Sequence, residues 1–227
     1  MQGIVVQGPV DYYKEIVECF KDIPNVVVST WEDELPFNIE YIQKSGLEVI
    51  VSKKPPFPGR TNINYQTTST FRGIEYLIKK GVTEILKTRG DIFINDVQKL
   101  MSVLKGKRMS FLQMCKEGAR PLYYNFVYDH FSHDYPADVI MYGRSDILRA
   151  GFNYLIEELH HIPSEALIAY NILSYMNIDF MLNYEHLKKN NIDFFLQDCV
   201  DNNIDLYWLK RKFSIVQATK DKNFYEY

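Results

Sequence analysis

Short apolar runs alternate with helix-like patterns over the first hundred residues. Runs rich in valine and isoleucine at residues 4–7 and 26–29 predict buried strands. Between them, apolar residues recur at helical spacing over residues 12–20, which predicts an amphipathic helix with Asp11 as its N-cap. The alternation then repeats and predicts strands at 47–51 and 84–88 and helices at 37–43 and 67–80.

Strands and helices that alternate with short connections are typical of right-handed crossovers. The pattern predicts an α/β fold, with a mainly parallel central sheet flanked by helices and a helical C-terminal part. The remaining predicted elements are strands at 109–112 and 138–142 and helices at 97–104, 146–152, 164–176, 180–189 and 191–200. Residues 201–227 show no clear pattern, and no linker divides the chain, so we expect a single domain over residues 1–227.

Composition places the chain among folded proteins without a strong attraction to nucleic acid. Its 227 residues are 46% hydrophobic and 15% aromatic, enough to bury a large core. Because 26 basic residues face 29 acidic ones, the net charge is −3 and we expect no nucleic-acid partner. Cys19, Cys115 and Cys199 match neither a metal motif nor a disulfide framework, which favours free thiols in a reducing compartment.

The apolar runs also bear on location. Residues 1–6 do not combine a basic start with a long apolar stretch, so they do not resemble a signal peptide. No apolar run reaches the roughly 20 residues that a membrane span requires. We therefore expect a cytoplasmic protein without a transmembrane segment, which could still associate peripherally with a membrane.

Polar or glycine-rich sequence follows four of the predicted strands. The four segments are Gln7-Gly8-Pro9, Ser29-Thr30-Trp31, the loop 53–60, and Lys87-Thr88-Arg89-Gly90-Asp91. Because the carboxyl ends of parallel strands meet at one edge of a sheet, these segments predict a binding crevice there. A plain turn is the alternative for each segment taken alone.

Asp91 is the sharpest candidate in this crevice. A carboxylate just past a buried strand, next to a glycine, can hold Mg²⁺ or Mn²⁺ against a diphosphate, and oxygen ligands suit both ions. Arg89 or Lys87 could neutralise the remaining phosphate charge. A structural strand-end turn is the alternative for Asp91. Asp96 could be a second carboxylate, but we predict that it caps the helix at 97–104.

Three amide side chains alternate before the helix at 67–80, at Asn62, Asn64 and Gln66. Amides both donate and accept hydrogen bonds, so they suit hydroxyls or a nucleobase. A helix cap or a loop residue is the alternative for Asn62.

Motifs of several other chemistries are missing from the sequence. It contains no GxxxxGK(S/T), no GxGxxG after the first strand and no GxSxG, which argues against nucleoside triphosphatases, dinucleotide oxidoreductases and nucleophile-elbow hydrolases. The pair His160-His161 predicts a solvated helix end. A second group of histidines and aspartates predicts either a metal site or histidines buried in a loop. It consists of Asp129, His130, His133, Asp134 and Asp138.

The strand-end segments, in their order and spacing, resemble the WavE lipopolysaccharide-synthesis family of glycosyltransferases. The resemblance runs from Val5 to about Glu165. It is carried further by Pro58-Gly59, by Asn62-Ile63-Asn64-Tyr65-Gln66 with Ser69 and Gly73, and by Asp138-Val139-Ile140-Met141-Tyr142-Gly143. Arg89-Gly90-Asp91 stands where better-known relatives carry Asp-x-Asp, and Tyr65 stands where the family has an arginine.

The resemblance implies a GT-A-type transferase. Such an enzyme moves a sugar from a nucleotide-diphosphosugar donor to a hydroxyl of a glycan, a lipid-linked acceptor or a protein-linked acceptor. Residues 1–115 would bind the donor, and residues 116–227 would form the acceptor side and the helical C-terminal part. A divalent cation, Mn²⁺ or Mg²⁺, would be the cofactor and Asp91 its ligand.

Each candidate residue then has an expected role. Asp91, Arg89 and Lys87 would stabilise the leaving diphosphate. Asp138 is the first candidate for the base that takes the acceptor proton, with a strand-edge residue as its alternative, and Glu165 is the second, with a favourable helix-dipole contact as its alternative. The nucleotide would lie against Gln7, Gly8, Pro9, Thr30 and Trp31, and the sugar or ribose hydroxyls against Asn62, Asn64 and Gln66.

Two other functional classes stay open at this point. A non-catalytic nucleotide- or glycan-binding module would keep the crevice without turnover. A metal-dependent phosphoesterase, which the pattern favours less, would attack the donor without an acceptor.

Overall fold

The computed structural model describes residues 1–59, 62–115, 134–154, 164–178, 189 and 192–220. The strands are β1 (Gln2–Gln7), β2 (Val26–Trp31), β3 (Glu48–Ser52), β4 (Glu84–Arg89), β5 (Ile92–Ile94), β6 (Met109–Cys115), β7 (Asp134–Arg144), β8 (Ile192–Phe194), β9 (Leu206–Trp208) and β10 (Phe213–Ser214). The helices are α1 (Tyr13–Phe20), α2 (Pro36–Lys44), α3 (Ile63–Lys79), α4 (Val97–Leu104), α5 (Ser145–Phe152), α6 (Ser164–Tyr175), α7 (Leu196–Asp201) and α8 (Ile215–Lys220).

The central sheet is mainly parallel, as the sequence predicts. Its strand order is β3-β2-β1-β4-β7-β6-β8. The four strands β1 to β4 pair in parallel, whereas β7 runs antiparallel to both of its neighbours. The carboxyl ends of β1, β2 and β4 therefore lie side by side at one edge of the sheet.

Helices cover both faces of this sheet because the strands are apolar on both sides. Successive side chains of a strand point to opposite faces. Val6 accordingly packs in a core with α1, α2 and α4, and its neighbour Val5 packs in a second core with α3, α5 and α6. Gly73 lets α3 approach β1 closely, since a Cβ there would lie 2.6 Å from a methyl group of Val5.

Helix ends confirm one predicted cap and correct another. The carboxylate of Asp96 accepts a hydrogen bond from the Lys99 backbone N–H at 2.9 Å and caps α4, as predicted. Asp11 does not cap α1, because that helix begins one residue later than predicted and its N-cap, Tyr12, makes no side-chain cap bond. Helix α3 begins a turn earlier than predicted, directly after Asn62, whose left-handed backbone (φ 62°) ends the preceding loop.

The predicted helix at 191–200 is in part a strand. Residues Ile192–Phe194 pair with β6 as β8, and only Leu196–Asp201 are helical. The exposed edge of β6 offers unpaired backbone groups, and pairing with them outweighs the weak helical periodicity of this segment. The predicted helix at 180–189 lies outside the described residues, apart from its last position.

A second, small sheet in the order β10-β9-β5 follows the main one. It joins the residues just after β4 to the C-terminal segment, with Ile92 opposite Trp208. No helix in the described part of the chain is long and apolar enough to cross a membrane.

Cys19 and Cys199 are free thiols. Burial is the main cause that raises the pKa of each to about 12. Both therefore stay protonated at neutral pH and act as small core side chains. The side chain of Cys115 lies outside the described residues.

Candidate functional site

A cleft of about 440 Å³ opens at the edge of the sheet where β1, β2 and β4 end. The predicted site residues that line it are Gln7, Pro9, Trp31, Asn62, Gln66, Arg89 and Asp91. The cleft thus lies where the sequence predicts it, at the carboxyl ends of the parallel strands, and seven of the thirteen predicted residues line it.

The floor of the cleft is formed by two turns whose backbones touch. Gly8 adopts a left-handed φ of 106°, which glycine tolerates best. The Gly90 N–H donates to the Gln7 carbonyl at 3.0 Å. A Cβ at Gly90 would lie 2.5 Å from the Pro9 carbonyl oxygen, so a side chain at this position would push the two turns apart.

Asp91 is held by three hydrogen bonds. Its Oδ1 accepts from Arg89 Nε at 2.8 Å, and its Oδ2 accepts from an Arg89 terminal nitrogen at 2.7 Å and from Trp208 Nε1 at 2.9 Å. Burial raises the pKa of this carboxyl, but the hydrogen bonds and charge of Arg89, with the bond from Trp208, together hold the pKa below its ordinary value. Asp91 is therefore ionised at neutral pH and fixes the orientation of Arg89.

The C-terminal segment completes the site. Two guanidinium groups lie over the Trp208 ring, with the Arg89 carbon 5.2 Å and the Arg211 carbon 4.5 Å from the ring centre. The Leu209 N–H donates to the Asp91 carbonyl at 2.9 Å, which anchors the turn that follows β9. The next residue, Lys210, lies in the wall of the cleft.

Aromatic side chains line the opposite part of the cleft. The ring centres of Trp31 and Tyr65 are 5.6 Å apart, and Lys54 Nζ lies 5.6 Å from the centre of the Tyr65 ring. Lys54 also pairs with Asp33 at 2.5 Å, and this hydrogen bond lowers the pKa of the Asp33 carboxyl. The result is an aromatic wall with a positive charge beside it.

Gln7 carries an unusual acceptor beside the cleft. The residue is only 8% exposed, and its buried Oε1 has no hydrogen-bond partner among the described residues. An unpaired buried acceptor is costly for the fold.

Four predicted binding residues lie outside the cleft wall. Gly8 shapes the floor through its backbone. Thr30 is fully buried, and Asn64, which is 2% exposed, donates to the Phe57 carbonyl at 3.0 Å and so fastens the preceding loop. Lys87 is buried on the face of α3 and α5, with its Nζ 5.8 Å from the Phe152 ring centre.

The two candidate bases are placed by their backbones only. Asp138 lies in β7 where the register against β6 shifts, since Phe111 faces Met141 and the next residue, Leu112, faces Ala137. Bulges of this kind often redirect a side chain beside an active site. Glu165 lies in the first turn of α6. The side chains of both, and the histidines at 130, 133, 160 and 161, lie outside the described residues.

Six further residues of the cleft wall are not among the predicted site residues. They are Asp11, Tyr12, Lys54, Tyr65, Gly90 and Lys210. A basic run directly after an apolar strand, Lys210-Arg211-Lys212 after β9, was a signal for Lys210. Lys54 belongs to the loop 53–60, which the sequence assigned to the crevice without naming a residue.

The residues at Asp91 do not fit a divalent cation. Both carboxylate oxygens already accept hydrogen bonds, and a guanidinium charge lies beside them. Among the residues that the structure describes, no three His, Cys, Asp or Glu side chains cluster as a metal site would require.

No protein-family model matches the sequence, and a search of curated proteins finds no match. Membership of the WavE family therefore stays a prediction.

Solved structures with a similar arrangement of elements are distant. They include the galactosyltransferase LgtC in complex with donor and acceptor sugar analogs, at 11% identity over 86% of this chain and 73% of that one, with a TM-score of 0.47. A cytidylyltransferase from Leptospira borgpetersenii is 15% identical over 85% and 75% of the two chains, with a TM-score of 0.46. The 4-diphosphocytidyl-2C-methyl-D-erythritol synthase of Anaerococcus prevotii is 8% identical over 84% and 97%, also with a TM-score of 0.46. These are likenesses of coarse architecture alone.

Proposed function

We propose that the cleft binds a nucleotide-diphosphosugar and that the protein transfers its sugar to a hydroxyl of a glycan, lipid-linked or protein-linked acceptor. One observation carries this proposal: an aromatic wall, amide side chains and cationic side chains converge in a single cleft at the carboxyl edge of the sheet. A volume of about 440 Å³ is in the usual range for small-molecule sites.

The aromatic wall suits the nucleobase. Tyr65 is half-buried and offers a flat face, and stacking on it tolerates any base, whereas Trp31 is only 2% exposed and packs against the Tyr65 ring. We assign hydroxyls of the ribose or the sugar to Asn62 and Gln66, which line the cleft at the start of α3.

Arg89 is the group that stabilises the leaving diphosphate. Its guanidinium is held in place by Asp91 on one side and by the Trp208 ring on the other. A fixed guanidinium gives strong, charge-assisted hydrogen bonds to phosphate oxygens. Because the group is already oriented before the donor binds, little reorganisation is needed when the glycosidic bond to phosphate breaks.

Transfer to a hydroxyl also requires a base for the acceptor proton. We assign this role first to Asp138, because the shifted register of β7 places its backbone in an irregular segment near the edge where β4 ends. Glu165 is the second candidate.

The proposal is tested by nucleoside diphosphate release from a panel of nucleotide-sugars, with and without sugar acceptors. We expect release with at least one donor, increased by the acceptor. Asp138→Asn should lower the rate of transfer by about 10²–10⁴-fold with donor affinity unchanged, because the base touches the acceptor and not the diphosphate. Lys79→Ala, which removes a charge at the far end of α3, is the control and should transfer like the wild type.

Two results would contradict the proposal. Donor binding without release under any condition would make the protein a binding module. Rapid hydrolysis of the donor without an acceptor, to a nucleoside monophosphate and a sugar phosphate and not to a nucleoside diphosphate, would make it a phosphoesterase.

A further inference from the structure

The charged groups of the cleft favour binding of a diphosphate without a metal ion. Among the charged residues in its wall are three cations, Lys54, Arg89 and Lys210, and two carboxylates, Asp11 and Asp91. Of these groups, Asp91 is hydrogen-bonded to the guanidinium of Arg89. The role of Asp91 therefore decides whether a divalent cation is needed there.

Asp91 acts as an anchor for Arg89 and for Trp208. Its side chain is 12% exposed, and its oxygens bind Arg89 twice and Trp208 once. A Mg²⁺ or Mn²⁺ ion on this carboxylate would lie next to a like charge and would have to displace these bonds. Such ions bind through several oxygen ligands, and the described residues hold no further cluster of them.

Lys210 is the cation that the C-terminal turn adds to the cleft. Trp208 bonds the Asp91 carboxylate through its indole, Leu209 bonds the Asp91 carbonyl through its backbone, and Lys210 follows directly. The side chain of Lys210 is exposed and lines the cleft, and the described part of the chain offers it no ion pair. A lysine placed in this way binds phosphate as a mobile point charge.

We infer that the protein neutralises the donor diphosphate with its own cations, Arg89 and Lys210, and binds it without a divalent cation. The inference rests on the proposed function, since it names how that same site holds the diphosphate. Arg89 supplies oriented hydrogen bonds, and Lys210 supplies a second positive charge from the turn that follows β9. These two roles differ because the guanidinium of Arg89 is planar and fixed, whereas the side chain of Lys210 is long and flexible.

The test is calorimetric titration of the full chain with UDP, CDP, GDP and ADP, in EDTA and then in Mn²⁺. We expect one of these nucleotides to bind in EDTA with an affinity that Mn²⁺ changes by no more than about twofold. Lys210→Ala should weaken that binding about tenfold, the usual effect of losing one charge-assisted hydrogen bond. Lys79→Ala is the matched control, because α3 places it about 24 Å from the end of the helix at the cleft.

The outcomes separate this inference from the proposed function. Binding that requires Mn²⁺ would overturn the inference and leave the proposed function intact. Wild-type affinity in Lys210→Ala would likewise overturn it. Failure of all four nucleotides to bind, with or without Mn²⁺, would instead count against the proposed function itself.

Discussion

Asp91 keeps its charge although it is largely buried. Burial raises its pKa, and the contacts with Arg89 and Trp208 more than reverse that effect, so the pKa in the folded protein is below the ordinary value. A carboxyl with a lowered pKa stabilises the folded state above its ordinary pKa of about 4, and this contribution is lost as the pH falls through the folded pKa.

The substitution Asp91→Asn tests whether the charge of Asp91 stabilises the folded state. At pH 7 we expect the free energy of unfolding to fall by about 1–2 kcal/mol, because the charge-assisted hydrogen bonds to Arg89 become neutral ones. Since protonation weakens the same bonds in the wild type, the difference between the two proteins should shrink below pH 4. Urea unfolding at pH 7 and at pH 3 measures it. A difference that is unchanged at low pH would mean that the charge of Asp91 is not what stabilises the fold.

At the scale of elements, the site depends on contact between two turns. The turn after β1 and the turn after β4 touch at Gly90, whose hydrogen takes the place where a Cβ would meet the Pro9 carbonyl at 2.5 Å. Because the obstacle is backbone, no side-chain rotation can relieve it. Arg89 and Asp91 flank this contact, so a shift of the turn moves both.

Gly90→Ala should therefore harm both stability and binding. We expect a loss of about 1–3 kcal/mol in the free energy of unfolding, the usual range for overpacking, together with a loss of nucleoside diphosphate affinity. Gly46→Ala is the control: its left-handed backbone (φ 91°) also makes alanine costly, but it lies before β3, at the opposite edge of the sheet. Thermal unfolding and calorimetric titration of both variants separate the effects. Unchanged binding in Gly90→Ala would show that the turn contact does not position the site.

Much of the element order could be predicted from the sequence, because parallel strands buried on both faces are continuous apolar runs with helices between them. The location of the cleft followed from the same pattern, through the strand ends at Gln7, Trp31 and Arg89. The small sheet could not be predicted. Its strands have only two or three residues, and it joins Ile92 to Trp208 across more than a hundred positions, a distance over which local periodicity carries no information.

Two residues of the cleft wall, Lys54 and Lys210, also could not be predicted from local periodicity. Lys54 lies in a loop, and Lys210 reaches the site through the pairing of β5 with β9 and the bonds of Trp208 and Leu209 to Asp91. Conversely, Lys87 was predicted as a phosphate contact from its place beside Arg89. The alternation of side chains along β4 instead buries it against α5, near Phe152.

At the scale of the whole molecule, an apolar core lies on each face of the sheet, and the cleft lies at the edge where β1, β2 and β4 end. Helices cover both faces of the sheet, so polar side chains gather where the strands end. The net charge of −3 gives no general attraction for anions. The affinity for a diphosphate that we propose would therefore come from the local placement of Arg89 and Lys210 in the cleft.

The central claim is that this cleft holds the nucleotide of the donor, and a crystal structure with a bound nucleoside diphosphate tests it most directly. The account predicts the base against Tyr65, and the diphosphate within hydrogen-bond distance of Arg89 and Lys210. A nucleotide bound at the opposite edge of the sheet, or on one of its helix-covered faces, would contradict the account.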